Sequence, residues 1–239
     1  MNERGFSHIE VILSFTLFLG FLIFAFFFFS PFSGKGVLDS SLVYAFTEIT
    51  KNTTIPLESY ATVINDGIIV NPVRIEIDSA ISNPNVRVEN KNGTKVNSYL
   101  VVDGGIEKVH FNKGNERFFT IFFSEDFSTG QPISGGLLEE GQEYSISSSE
   151  KKEVFSEKRL LELNAAYGNN YETLKKYFNL PNRVDFGFSL EFDNGDKIIA
   201  TRTVPENLEV LVEQERVEII RNSPNDGDIM FANLLVRVW

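Results

Sequence analysis

The chain has no cysteine, and only two histidines, two methionines and one tryptophan among its 239 residues. The first absence excludes disulfides, thiolate metal sites and thiol nucleophiles. His8 falls in the N-terminal head, so the rest of the chain holds a single imidazole, His110. No histidine pair is available for a metal or a proton relay. No glycine-rich phosphate loop follows a strand pattern, and no GxSxG elbow occurs. Positive charge is also scarce: 22 Lys and Arg against 33 Asp and Glu leave a net charge of −11. A nucleic-acid partner is excluded on that ground, because phosphate backbones must be neutralised by cations. Carboxylates are abundant, yet no spacing singles out a catalytic pair. Asp193, Asp196, Asp226 and Asp228 fall in turn-like stretches, but the twelve-residue calcium loop with its closing Glu is missing. The expectation is a protein that is not an enzyme and carries no cofactor and no metal.

What is present is concentrated at the start. Val11–Phe29 contains no charged residue, and eight of the 23 phenylalanines lie in it. Nineteen helical residues rise roughly 28 Å, about the thickness of a bilayer's hydrocarbon core. Phenylalanine recurs on every face of that helix, unlike the one-sided pattern of a helix packed on a soluble core. The run predicts a single transmembrane helix over 6–30, with the lipid bilayer as a partner. Ser30-Pro31-Phe32 is a poor cleavage site for an ordinary secretory signal, whereas a plain signal anchor fits the length. Pro31, Gly34 and Gly36 then predict a broken helical connector over 31–54. Leu38, Leu42, Val43, Phe46 and Ile49 give that connector one apolar stripe.

The junction ahead of the run carries more information than the run itself. Arg4, Gly5, Phe6 and Ser7 are followed by Glu10, one acid at the edge of an apolar stretch. Gly5 offers an unhindered backbone to a protease, and an acid at the edge of an apolar segment is costly unless a cation meets it. This arrangement resembles the class III signal peptide of type IV prepilins and pseudopilins, and the body is similar to archaeal pilin-like heads. The resemblance implies a leader, residues 1–5, removed by a prepilin peptidase between Gly5 and Phe6. It implies that the helix is retained, and that Glu10 pairs with the new Phe6 amine of a neighbouring pilin-like subunit. Two departures stand out. Glu3 beside Arg4 makes the head less basic than usual, and His8 occupies a position more often apolar.

Beyond the connector the pattern changes to short strands. Val73–Ile77, Val86–Val88, Val96–Val102, Ile106–Phe111 and Phe118–Phe123 are separated by Asn65-Asp66-Gly67, Asn83-Pro84, Asn92-Gly93 and Asp103-Gly104-Gly105. Asn-Gly between apolar segments favours a tight hairpin, and regular short strands suggest an antiparallel sandwich over 55–149. Phe118–Phe123, apolar on both faces, reads as a central strand. Phe127–Gln142, rich in Ser, Gly and Pro before it turns acidic, reads as a loop or a module boundary. Over 150–239, Leu160, Leu163, Tyr167, Tyr171, Leu174 and Phe178 trace a helical seam interrupted at Gly168-Asn169-Asn170. Val184, Phe186, Phe188, Leu190 and Phe192 then alternate as in a half-buried strand. Leu208, Val210 and Val212 keep one parity while Val217 and Ile219 keep the other, which implies a bulge or two strands. The predicted class is α+β: one transmembrane helix, then a β-rich extracellular head made of a sandwich-like insert, a helix and an antiparallel meander.

Asn52-Thr53-Thr54 and Asn92-Gly93-Thr94 are candidate N-glycosylation acceptors. The leading expectation is a type IV pilin-like subunit of a cell-surface filament or pseudopilus, processed at Arg4, Gly5 and Phe6 and assembled through Phe6 and Glu10. Its expected location is single-pass in the cell membrane, N-terminus cytoplasmic before processing and body extracellular. The alternative is a non-polymerising, anchored module that binds a protein or glycan through its sandwich.

Overall fold

A computed structural model describes residues 8–29, 34–222 and 227–239. Among them are three helices: α1 His8–Phe29, α2 Gly34–Thr53 and α3 Glu157–Tyr177. Everything else of regular structure is strand. One sheet of nine strands runs in the order β11 (Lys197–Ala200), β10 (Phe186–Phe192), β13 (Asp228–Val238), β12 (Leu211–Arg221), β9 (Tyr144–Ser156), β1 (Thr54–Ile64), β7 (Phe118–Ser124), β3 (Asn85–Asn90) and β4 (Lys95–Val96). A second sheet of four strands runs β5 (Ser98–Asp103), β6 (Ile106–Phe111), β2 (Val73–Ile77) and β8 (Gly136–Leu137).

The expected single transmembrane helix is corrected here. Among the described residues no helix is long and apolar enough to cross a membrane. The single-pass membrane location rested on that span and is corrected with it. The described fold is a β-rich body with three helices.

Three cores hold the body together. The largest lies between the C-terminal strands and the two helices α2 and α3, and includes Ile49, Leu160, Tyr167, Phe178, Phe186, Phe188 and Val236. The second fills the space between the two sheets, with Val73, Ile75, Val109 and Phe111 facing Val88, Phe119, Ile121 and Phe123. A small third cluster, Ile55, Leu57, Phe127, Val154 and Ile220, joins them. The regions 55–149 and 150–239 therefore share one continuous sheet, in which β1 pairs β9 from Thr54↔Phe155 to Ile64↔Tyr144.

α3 starts where Ser156 accepts a hydrogen bond from the Arg159 amide at 3.1 Å, an N-cap that satisfies an otherwise orphaned donor. Its dihedrals depart from helical at Asn170 (φ −151°, ψ 58°), inside the expected Gly168-Asn169-Asn170 break. It ends at Asn179, which takes φ 54° so that the Leu180 amide reaches the Lys175 carbonyl at 3.1 Å. β12 pairs β13 without a register shift from Leu211↔Val238 to Arg221↔Asp228. No bulge produces the parity change seen in the sequence; Leu208 and Val210 simply precede the strand.

Phe186 is the hub of the largest core. Its ring lies 5.4 Å from Tyr167, 5.6 Å from Tyr171 and 5.2 Å from Phe178. Tyr167 Oη donates to the Phe186 carbonyl at 2.6 Å, and the Phe186 amide donates to Tyr171 Oη at 3.0 Å. Phe186→Ala is expected to cost about 3–5 kcal/mol of folding stability. Denaturant unfolding of both proteins checks this, and a loss below about 1 kcal/mol would contradict it.

Candidate functional site

The candidate site is the surface of α1 and α2. α1 presents apolar side chains in every direction: Val11 is 56% exposed, Phe15 62%, Leu17 67% and Phe21 64%. Nothing in the described body covers it. Glu10 lies at its first turn and is exposed. Arg4, Gly5 and Phe6, the residues of the processing motif, lie outside the described residues, so the Phe6–Glu10 pairing has no geometry here. His8 is in the helix, and its side chain also lies outside them.

α2 is divided between two roles. Ala45 and Ile49 are fully buried in the largest core, and Val37, Leu38, Leu42 and Phe46 pack partly against it. The opposite side leaves Val43 61% and Tyr44 60% exposed. Gly36, Val37, Ser40, Ser41 and Tyr44 line an open groove of about 400 Å³ whose far wall is Asn179 and Pro181. The small residues keep the groove open, and its lining is mainly apolar.

The two candidate glycan acceptors differ in environment. Asn52 ends α2, where its amide donates to the Glu48 carbonyl at 2.7 Å and its Oδ1 accepts from Tyr177 at 3.1 Å. A glycan there would displace the Glu48 bond. Asn92 is exposed in the β3–β4 turn, where Asn90 Oδ1 accepts from the Asn92 and Thr94 amides at 3.0 Å each. Gly93 takes φ 75° beside it, as the tight turn requires. Asn92 is thus the reachable sequon.

The acids of the turns act as structural ties. Asp193 meets Arg216 at 3.3 Å, Asp196 meets Arg221 at 2.5 Å and Asp228 meets Arg87 at 2.9 Å; Asp226 lies outside the described residues. Among the described residues no group of three or more His, Asp or Glu could hold a metal ion. A second groove, about 330 Å³, crosses the outer face of β10, β11 and β13 between Ser189, Ile199, Leu235 and Arg237.

One buried acid was not singled out from the sequence. Glu58 on β1 is 3% exposed and accepts from Ser79 Oγ at 3.0 Å, the Ala80 amide at 3.1 Å and Lys151 at 3.2 Å. Burial by itself would raise its pKa, but the Ala80 and Ser79 hydrogen bonds and the Lys151 ammonium outweigh burial and hold it below the usual 4.5. Tyr60, which donates to the same carboxylate, is pushed up to about 12 by burial and by the Glu58 charge. A sequence offers no cue for Glu58, because its partners Ser79 and Ala80 are joined to it only by the fold.

No protein-family profile, curated protein or solved structure matches this chain.

A carboxylate with a lowered folded pKa stabilises above its unfolded value, and that stability is lost as pH falls through the folded one. Wild-type stability should therefore fall on acidification below pH 4.5 partly through Glu58. Glu58→Gln should cost about 1–3 kcal/mol near neutral pH and flatten the acid limb. Unfolding midpoints measured from about pH 3 to about pH 7 test this, and parallel curves for the two proteins would contradict it.

Proposed function

We propose that this chain is a pilin-like structural subunit that polymerises through its N-terminal helix, with the β-rich body as the displayed head. The carrying observation is the all-round apolar exposure of α1, from Val11 to Phe24. A helix of that kind is buried by like helices in an assembly, since its own body offers it no cover. The Arg4-Gly5-Phe6-Ser7 junction and Glu10 support processing by a prepilin-type peptidase between Gly5 and Phe6. The new Phe6 amine of one subunit then meets Glu10 of another, a pairing that offsets the cost of a carboxylate among apolar side chains. In such an assembly the body works by shape and surface chemistry, with no catalytic step.

The reading makes two linked predictions. Mass spectrometry of the protein from its native cells should find Phe6 at the mature N-terminus; a start at Met1 would remove the processing step. Glu10→Ala should leave expression and head stability unchanged while lowering the polymer fraction by tenfold or more, about 1.4 kcal/mol per subunit contact. Sedimentation and negative-stain microscopy read that fraction. Unchanged polymer in the variant, or monomers only in the wild type, would replace this reading with a non-polymerising binding module.

A further inference from the structure

The segment after β7 crosses the outer face of the four-stranded sheet. Residues Val73, Ile75, Val109 and Phe111 face the core, so the alternate residues Arg74 and His110 point to the opposite face. Gly130 passes so close to β5 that an added Cβ would collide with the Ser98 carbonyl. Gly135 passes β2 in the same way, where an added Cβ would collide with the Val73 carbonyl. Cross-strand pairing places Tyr99, His110 and Arg74 side by side between those two points. Beyond the crossing the segment becomes β8, which pairs parallel to β2 (Val73↔Gly136, Arg74↔Leu137) and covers its edge. The Gly136 and Leu138 amides donate to the Pro72 and Arg74 carbonyls at 3.1 and 2.9 Å.

The side chain under this crossing is His110, which is 6% exposed. Its Nδ1 accepts the Gly135 amide at 3.0 Å. An imidazole that accepts at Nδ1 carries no proton there. Protonation would turn the acceptor into a donor aimed at another donor. It would also set a second cation beside Arg74, whose Nε is buried without a hydrogen-bond partner. The charged and titratable groups around His110 are Arg74 and Glu76 on β2, Lys108 on β6, and Tyr99 and Asp103 on β5. Asp103 is occupied by Lys108 at 2.6 Å, and Ser128–Leu138 contains no ionisable side chain. No acid of the crossing segment is therefore at hand to receive an imidazolium.

We propose that residues 128–138 form an acid-releasable strap: proton uptake by His110 ejects the Gly135 amide, lifts β8 from β2 and bares the β2 edge. Burial first, and then the Arg74 and Lys108 charges, hold the His110 pKa below its ordinary 6.5. The closed strap thus favours the neutral ring. Its stability is complete above 6.5 and declines as pH falls from there toward the lowered value. An unpaired strand edge is a site for pairing with another chain, so release would make the sheet available for strand addition only in acid.

Hydrogen exchange of the full-length protein tests this between about pH 7.5 and about pH 5, with intrinsic rates corrected for pH. Protection over 128–138, relative to Phe186–Phe192 as an internal reference, should fall below pH 6.5 with a slope approaching tenfold per pH unit, the limit for one proton. His110→Asn keeps an acceptor near the Nδ1 position but does not titrate, so its strap should hold constant relative protection. Constant relative protection in the wild type would overturn the proposal without reference to any variant. The same fall in a folded His110→Asn protein would overturn it too.

Discussion

The two halves of the body are joined by a short seam. β9 runs antiparallel to β1 along almost its whole length, and only its last two residues turn toward the C-terminal strands, pairing parallel with β12 at Ile219↔Phe155 and Ile220↔Ser156. Parallel pairing over two residues is weak alone. The residues at the seam are tied by side chains instead. Ser156 is fully buried, accepts the Arg159 amide and donates to the Asp126 carboxylate. Glu157, 5% exposed, accepts from the Asn222 amide at 2.7 Å and meets Arg221 at 3.5 Å. Arg159 reaches across to the Thr54 carbonyl at 2.8 Å. One point thus fixes the end of β9, the start of α3, the end of β12 and the start of β1.

That geometry bears on how the helices are presented. Thr53 ends α2 and Thr54 begins β1, with no linker between them. Thr53 is itself buried, its hydroxyl donating to the Ile49 carbonyl at 2.6 Å. Since Thr54 is held by Arg159 and β1 is paired on both sides, by β7 and β9, α2 cannot swing on the body. Its exposed side, with Val43 and Tyr44, is presented at a fixed angle. A force applied along α2 would pass into the middle of the nine-stranded sheet and not into an edge.

Much of this was legible in the sequence where side-chain period and burial coincide. Phe186–Phe192 alternates because one face meets α3, and β10 forms there. Phe118–Phe123 forms β7 between β1 and β3, and its two faces meet different cores: Phe119, Ile121 and Phe123 are buried in the second core, Phe122 packs against the third cluster, and Phe118 stays half-exposed. Tyr144–Ser156 was not legible as a strand. Its middle, Ser147–Glu153, is polar and exposed or half-buried, so backbone pairing with β1 defines it and no apolar pattern does. The strap was read as a plain loop for a similar reason. Its contacts to β5 and β2 are made by the backbones of Gly130 and Gly135, and absent side chains leave no periodicity. At the site, Val11–Phe24 was visible as an apolar run, whereas the groove beside Tyr44 needs Asn179 and Pro181, far away in the chain. The membrane span expected from the apolar run is not borne out, since among the described residues no helix is long and apolar enough to cross a membrane.

Among the described residues, α1 is the helix that leaves the most apolar surface uncovered. Eleven large apolar side chains of α1, from Val11 to Phe24, are each between 39% and 67% exposed. Burying what remains of each would return even at a low estimate about 1 kcal/mol, so about 10 kcal/mol is available to whatever covers the helix. That is as large as the whole folding stability of an ordinary domain. The acidic body works in the opposite sense, because like charges resist close packing of heads. Association through α1 would therefore be strong at the helix and loose between heads, with Glu10 as the ionisable group placed at the tight end. If the proposed assembly forms, a subunit so divided would be ordered by its helix while the surface of its body stays free to vary.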